Sequence, residues 1–439
     1  MRKLFFIIVM LLLSFKLNAQ YMNVYNKGGN VYSIPTDGID SVVVNNEHFE
    51  NYVDTAVFFR KYFILPKNSL PTIDTSVADI GKFSKESTLK TGILYPATVN
   101  NECKEVSNFF RYSNPVRIPK VYPSYFGVKQ ATQRTLGFVI EFYADCNHME
   151  IKSYAGFRCV IVVDGVKINE KELVSENGDG GFLYLPITFK EKKKRHIKIY
   201  YFGTSFMGII SDGEISKYEQ KKLLMCVDGD SVVEGVAQVG IAEGTFGCWA
   251  SCVAQILGFD LYNTGVGGSG FVAVGGDKIT PNMPDRFDKY IAPYQPDILI
   301  FSAGINDPDS ENFSQKVEEY FKKATGLKEC KVIALSPYCN VAKPSYVLEK
   351  HCDVIKAMAF KYHVPFIDYM HCMTYDAFGN CITNNLGTDA YHNIITIENR
   401  SEFLNVKVDP THPNARGHRY IGEYIAREVY KILNRLEGF

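Results

Sequence analysis

Four short motifs in the second half of this 439-residue chain combine the residue types that ester hydrolysis on a serine requires. Gly229-Asp230-Ser231 offers a hydroxyl nucleophile, and Asp409-Pro-Thr-His412 offers a base with a carboxylate three residues before it. The glycine-rich Asn263-Thr-Gly-Val-Gly-Gly268 and the loop Gly304-Ile-Asn306-Asp307 offer donors for a developing oxyanion. A serine hydroxyl is a weak nucleophile until a base removes its proton. His412 can take that proton, while Asp409 accepts from the other ring nitrogen and fixes the tautomer. The backbone N–H groups of Ser231 and Gly268 and the side-chain amide of Asn306 are the candidate oxyanion donors. Glycine at 268 permits close backbone approach and dihedrals that other residues avoid.

Each motif is weak alone. Asp-x-x-His occurs four times, as Asp145/His148, Asp368/His371, Asp389/His392 and Asp409/His412. Only the last precedes Pro413-Asn-x-x-Gly417 and an amphipathic C-terminal stretch, so it is read as the catalytic pair and the other three as surface histidines. Asp230 and Asp307 are expected to hydrogen-bond the loops that carry Ser231 and Asn306.

The elements around the motifs explain how distant residues can meet. Leu223-Leu-Met-Cys-Val227 is a continuous apolar run, as in a strand buried on both faces of a parallel sheet. Trp249, Val253, Ile256 and Leu257 then fall at helical spacing, with Gly258 as a stop. A strand at 297–302, a helix near 311–325, a strand at 331–335, a helix near 345–362 and a strand at 364–368 follow. A mostly polar insertion at 370–405 precedes a last helix at about 414–434. Alternating strands and helices predict an open α/β sheet, in which ligands bind beyond the carboxyl ends of the strands. Three of the four motifs fall there, and Asp409–His412 lies just before the last helix.

The first half has a different rhythm. Residues 21–49 read as a short β preface with turns at Lys27-Gly-Gly-Asn30 and Thr36-Asp-Gly38. From 50 to 220, segments such as 136–143, 158–163 and 196–201 are rich in β-branched and aromatic residues and are separated by glycine, proline and Asn/Asp clusters. That spacing predicts an all-β sandwich or jelly roll. The run Glu191-Lys-Lys-Lys-Arg195 is expected to decorate a solvated hairpin turn.

In order and position, the four motifs resemble those of the SGNH (GDSL-type) hydrolase superfamily over residues 221–439. The resemblance implies a three-layer, flavodoxin-like α/β/α fold with nucleophile Ser231, base His412, orienting Asp409, and Gly268 and Asn306 in the oxyanion hole. Val233 departs from the pattern, since many members carry Thr two residues after the serine. A β-sandwich ahead of such a domain is similar to two-domain carbohydrate esterases that remove acetyl groups. This implies an acetylated oligo- or polysaccharide as substrate. A general short-chain esterase or lipase is the alternative, and a catalytically inert glycan-binding protein is a further one.

Composition excludes some classes. Formal net charge is zero, which gives no electrostatic footprint for nucleic acid. Arg2-Lys3 and the apolar Leu4 to Leu13 form a signal-peptide pattern over residues 1–20, with Leu17-Asn-Ala19 as a cleavage site. The apolar run is short for a membrane span, and no cysteine follows it as a lipoprotein anchor would require. A secreted or periplasmic protein is expected, with no membrane insertion after cleavage. Eleven cysteines leave at least one unpaired, and Cys372 and Cys381 bracket a turn that a disulfide could close. A metal site of His371, Cys372, Cys381 and His392 lacks a tight Cys-x-x-Cys pair and is set aside. The chemistry as read needs neither metal nor cofactor.

Overall fold

The computed structural model describes residues 21–25, 31–35, 70–382 and 409–437, apart from 98–106, 114–136, 155, 176–180, 203–205, 221, 238–239, 242–244, 277–279, 340–344 and 410. The signal-peptide segment 1–20, the Asp389/His392 pair and most of the expected insertion lie outside the described residues. Backbone contacts divide the chain into two compact units, Met1–Ile64 with Lys431–Phe439, and Leu65–Tyr430. In the first, β1 (Tyr21–Tyr25) and β2 (Val31–Pro35) pair antiparallel, Tyr25 opposite Val31.

The second unit carries two large sheets. The first is antiparallel and ten-stranded. Its strands are β3 (Ala78–Ile80), β4 (Ile93–Pro96), β5 (Arg111–Tyr112), β6 (Gly137–Tyr154), β7 (Arg158–Val163), β8 (Val166–Lys167), β9 (Leu173–Val174), β10 (Phe182–Phe202), β11 (Phe206–Ser211) and β12 (Glu214–Lys217). Period-two alternation drives it: Ile140, Phe142, Ala144 and Cys146 of β6 enter one core with Ile197, Ile199 and Tyr201 of β10 and Cys159, Ile161 and Val163 of β7. The long strands β6 and β10 pair along their whole length except for a register shift between Thr188 and Lys193. The Glu191–Arg195 run sits at that shift inside β10, not in a hairpin turn. Arg195 is buried there, donating to the carbonyls of Lys193 and Glu191 with its guanidinium 4.3 Å from the Phe189 ring.

The second sheet begins with β13 (Leu224–Gly229), followed by α1 (Ser231–Glu234), a two-residue pair β14 (Val236–Ala237) and β15 (Gly240–Ile241), α2 (Trp249–Leu257), β16 (Asp260–Asn263) and α3 (Met283–Tyr290). Then come β17 (Ile298–Ser302), α4 (Phe313–Thr325), β18 (Lys331–Leu335), α5 (Tyr346–Lys361), β19 (Phe366–Asp368), β20 (Met373–Tyr375) and α6 (Ala415–Glu437). The six strands run in the order β16-β13-β17-β18-β19-β20, all parallel except the last pair. Every residue of β13 and β17 is buried, as strands covered on both faces must be. Cys226, Leu299, Phe301 and Ala334 pack in one core with Phe287, Tyr320 and Phe321 from α3 and α4. Helix ends follow the sequence: Ser345 caps α5 at Leu348 N–H, and Gly258 closes α2 at φ 71°. No helix among the described residues is long and apolar enough to cross a membrane.

A polar seam joins the two sheets. Glu141 of β6 accepts from Arg111 at 2.7 Å and pairs with Lys198 and His196 at 2.8 Å each, while Arg111 also donates to the Leu261 carbonyl of β16 at 3.0 Å. Burial alone would neutralise Glu141, but Lys198, His196 and Arg111 hold its carboxyl well below the usual range. A cavity of about 180 Å³ opens in this seam, lined by Arg111, Glu141, Lys198, Tyr200, Lys222 and Gln255 among others. None of the candidate catalytic residues lines it.

Candidate active site

Ser231 is the first residue of α1, directly beyond β13. Asp230 makes that turn possible by capping α1, accepting from the N–H groups of Val232 at 2.9 Å and Val233 at 3.4 Å. Gly229 is required by crowding, because a Cβ there would collide with the Ser302 carbonyl of β17. His412 lies just before α6, whose start is capped by Asn414 through Gly417 N–H at 2.9 Å.

These elements bring three side chains into line. His412 Nε2 is 2.8 Å from Ser231 Oγ, and His412 Nδ1 is 2.8 Å from Asp409 Oδ2. The other Asp409 oxygen accepts from the N–H groups of Thr411 at 2.8 Å and His412 at 3.1 Å, so the carboxylate cannot rotate away. Burial opposes its charge, yet the Thr411 N–H and the His412 ring and N–H hold its carboxyl below the ordinary value. An ionised Asp409 therefore faces the ring nitrogen away from Ser231.

The glycine-rich loop passes beside the serine. Gly267 N–H donates to Glu234 Oε2 at 2.8 Å, and Gly268 sits at φ 77°, a region open to glycine. The Asn306 amide donates to the Ser269 carbonyl at 3.1 Å, which ties the 304–307 loop to the residue after Gly268. Asp307 holds the same neighbourhood from the other side, accepting from the N–H groups of Phe271, Val272 and Ala273 at 2.7–3.0 Å. It thus holds residues 271–273, just beyond the glycine-rich loop.

Three supporting residues were not anticipated from the sequence: Asp228, Arg286 and Glu234. Asp228 and Arg286 form an ion pair at 2.7 Å with both side chains fully buried. Thr264 and Tyr320 also donate to Asp228 at 2.9 Å each. Arg286 donates further to the Gly229 carbonyl and to Ser269 Oγ, both at 2.8 Å. One guanidinium thereby joins the turn at Gly229 to Ser269, directly after the glycine-rich loop. The available signal was an acidic residue at the end of an otherwise apolar strand.

The other Asp-x-x-His pairs separate clearly. His148 Nδ1 meets Thr188 Oγ1 at 2.8 Å on the antiparallel sheet. Asp368 and His371 repeat the local geometry of Asp409 and His412, with Nδ1 2.9 Å from Oδ2, but Nε2 faces Glu349 instead of a serine. No disulfide joins Cys372 and Cys381.

Residues 228–420 match the model of the GDSL-like Lipase/Acylhydrolase family. This segment is a GDSL-like acylhydrolase domain. No curated protein matches the chain. Among solved structures, the chain is similar to a carbohydrate esterase family 2 enzyme with a carbohydrate-binding domain from Corynascus thermopiles (Myceliophthora fergusii), at 17% identity and TM-score 0.47, covering 74% of this chain and 99% of that one. It is also similar to a salicylyl-acyltransferase of a tetracycline biosynthetic pathway (14%, TM-score 0.48, 84% and 97% covered). A Clostridium thermocellum family two carbohydrate esterase in complex with cellohexaose is a third (12%, TM-score 0.44, 68% and 93% covered).

Proposed function

We propose that the chain is a secreted serine ester hydrolase that removes O-acetyl groups from carbohydrate through an acyl-enzyme on Ser231. The observation that carries the reading is the unbroken relay Ser231–His412–Asp409, with both links at 2.8 Å. His412 Nε2 takes the Ser231 proton as Oγ attacks the ester carbonyl, while Asp409 accepts from Nδ1–H and stabilises the imidazolium. The oxyanion is met by the N–H groups of Ser231 and Gly268 and by the Asn306 amide. Collapse of the intermediate expels the alcohol, which receives its proton from His412. Water then repeats the sequence on the acyl-enzyme and releases the acid.

The substrate reading rests on the antiparallel sheet that precedes the acylhydrolase domain and on the signal-peptide pattern of residues 1–20. In the same reading, residues 50–220 form a sandwich of jelly-roll kind after a β preface at 21–49, and 221–439 a three-layer, flavodoxin-like domain. Its support is β10, whose first half pairs with β3 and second half with β7 across the register shift. A register shift in a long strand lets its two halves serve different packed faces.

Hydrolysis of acetylated oligosaccharides, compared with aryl acetates and with octanoyl esters, tests the proposal. Preference for acetyl and activity on the sugar are expected. Preference for octanoyl esters with no turnover of acetylated sugar would favour a general esterase.

A further inference from the structure

Beyond the catalytic constellation, two pairs of residues spaced three apart converge at the end of β19. Glu349 and Cys352 lie on α5, and Asp368 and His371 span the turn that leaves β19. Cys352 and Asp368 are buried, and ligand atoms of Cys352, Asp368 and His371 all lie within 4.8 Å of one another. His371 Nδ1 is 2.9 Å from Asp368 Oδ2, and His371 Nε2 is 3.2 Å from Glu349 Oε1.

We propose that Cys352 Sγ, Asp368 Oδ2 and His371 Nδ1 are the protein ligands of a divalent transition-metal ion of the zinc class, with Glu349 orienting the histidine. Mixed sulfur, nitrogen and oxygen donors suit zinc better than the hard cations, which take oxygen alone. Two ligand atoms each about 2.0–2.1 Å from one ion come about 3 Å apart, close to the separation of Nδ1 and Oδ2. A ligating histidine normally donates its other ring N–H to a carboxylate, which fixes the tautomer. Glu349 is in place to accept it. The His371 N–H holds Asp368 Oδ1 at 3.1 Å, which directs Oδ2 toward the ion. Three protein ligands leave one position for water, and the His371 side chain is 37% exposed, so an ion can enter. A simple ion pair of His371 with its two carboxylates explains those three residues. Cys352 packs in the apolar core of the parallel sheet and adds a sulfur donor within 4.8 Å of the Asp368 and His371 ligand atoms.

The site differs from the earlier donor set of His371, Cys372, Cys381 and His392 in drawing on α5. Bound metal would clamp α5 to the turn after β19, independently of the ester chemistry.

Cobalt(II) added to the full-length protein is the test. The expected result is visible d–d absorption of a four-coordinate ion plus a near-ultraviolet thiolate-to-metal band, saturating at a single equivalent and displaced by zinc. Cys352→Ser should remove the thiolate band, His371→Ala should abolish binding, and Glu349→Gln should weaken it by roughly 10–100-fold. Circular dichroism confirms that each variant is folded. No binding by the folded protein, a cobalt spectrum without the thiolate band, or a thiolate band that survives Cys352→Ser would overturn the site. Unchanged affinity in Glu349→Gln would overturn the orienting role.

Discussion

His412 Nε2 lies 2.8 Å from Ser231 Oγ although 181 residues separate them in the chain. The contact exists because the serine ends the turn after a strand of the parallel sheet while the histidine precedes α6. The Asp368–His371 pair has the same local carboxylate–imidazole geometry, but its Nε2 meets Glu349 instead of a serine. The local geometry is therefore shared, and the partner of Nε2 is what differs.

This contrast gives the first prediction. His412→Ala should abolish ester hydrolysis, whereas His148→Ala, His371→Ala and His392→Ala should keep nearly full kcat on an aryl acetate. Retention of activity in His412→Ala, with loss in any of the other three, would move the base elsewhere.

Asn306 is the next test. Its amide donates one hydrogen to the Ser269 carbonyl, which orients the group; the proposed mechanism gives its second hydrogen to the oxyanion. Asn306→Ala should lower kcat by roughly 10²–10³ with little change in KM. A change confined to KM would make Asn306 a substrate-binding residue.

The Arg286–Asp228 pair makes a stability prediction. Arg286→Met leaves a fully buried carboxylate without its guanidinium and frees both the Gly229 and Ser269 contacts. Breaking a buried pair on one side costs about 3–5 kcal/mol. Urea denaturation of the variant should show that loss. A cost below about 1 kcal/mol would mean that solvent reaches Asp228, contrary to the packing.

The motifs picked out Ser231, Asp409 and His412, which the structure brings within hydrogen-bond reach of one another. Short motifs of this kind are legible because they fall at turns and at the ends of elements, where backbone shape restricts residue type. Arg286 lies on α3, a short helix with Pro284 in its first turn and Asn282 as its cap, and no motif marks it. The Glu191–Arg195 run shows a similar limit. The charge of residues 191–194 marks solvent exposure, which a bulge in a long strand provides as well as a turn does, whereas Arg195 is buried. The Arg111–Glu141–Lys198 seam depends on pairings between strands far apart in sequence, which no local pattern reveals.

Asp230 should leave a mark on the pH dependence of stability. Burial raises its carboxyl to about 7, against the opposing N–H groups of Val232 and Val233. The folded protein thus holds this proton more tightly than the unfolded chain, so Asp230's contribution is most favourable below the ordinary carboxylate pKa. It declines as pH rises toward about 7 and is constant above. Asp230→Asn removes that slope. Its Tm relative to the wild type should therefore increase from pH 4 to pH 7, and a flat difference would count against a protonated Asp230.

The central claim is that Ser231 is the nucleophile. Labelling the full-length protein with a fluorophosphonate, followed by peptide mapping, measures this directly. The account predicts stoichiometric modification of Ser231, lost in Ser231→Ala and suppressed in His412→Ala, where no base activates the hydroxyl. Modification of a different serine, or labelling that persists in Ser231→Ala, would contradict it.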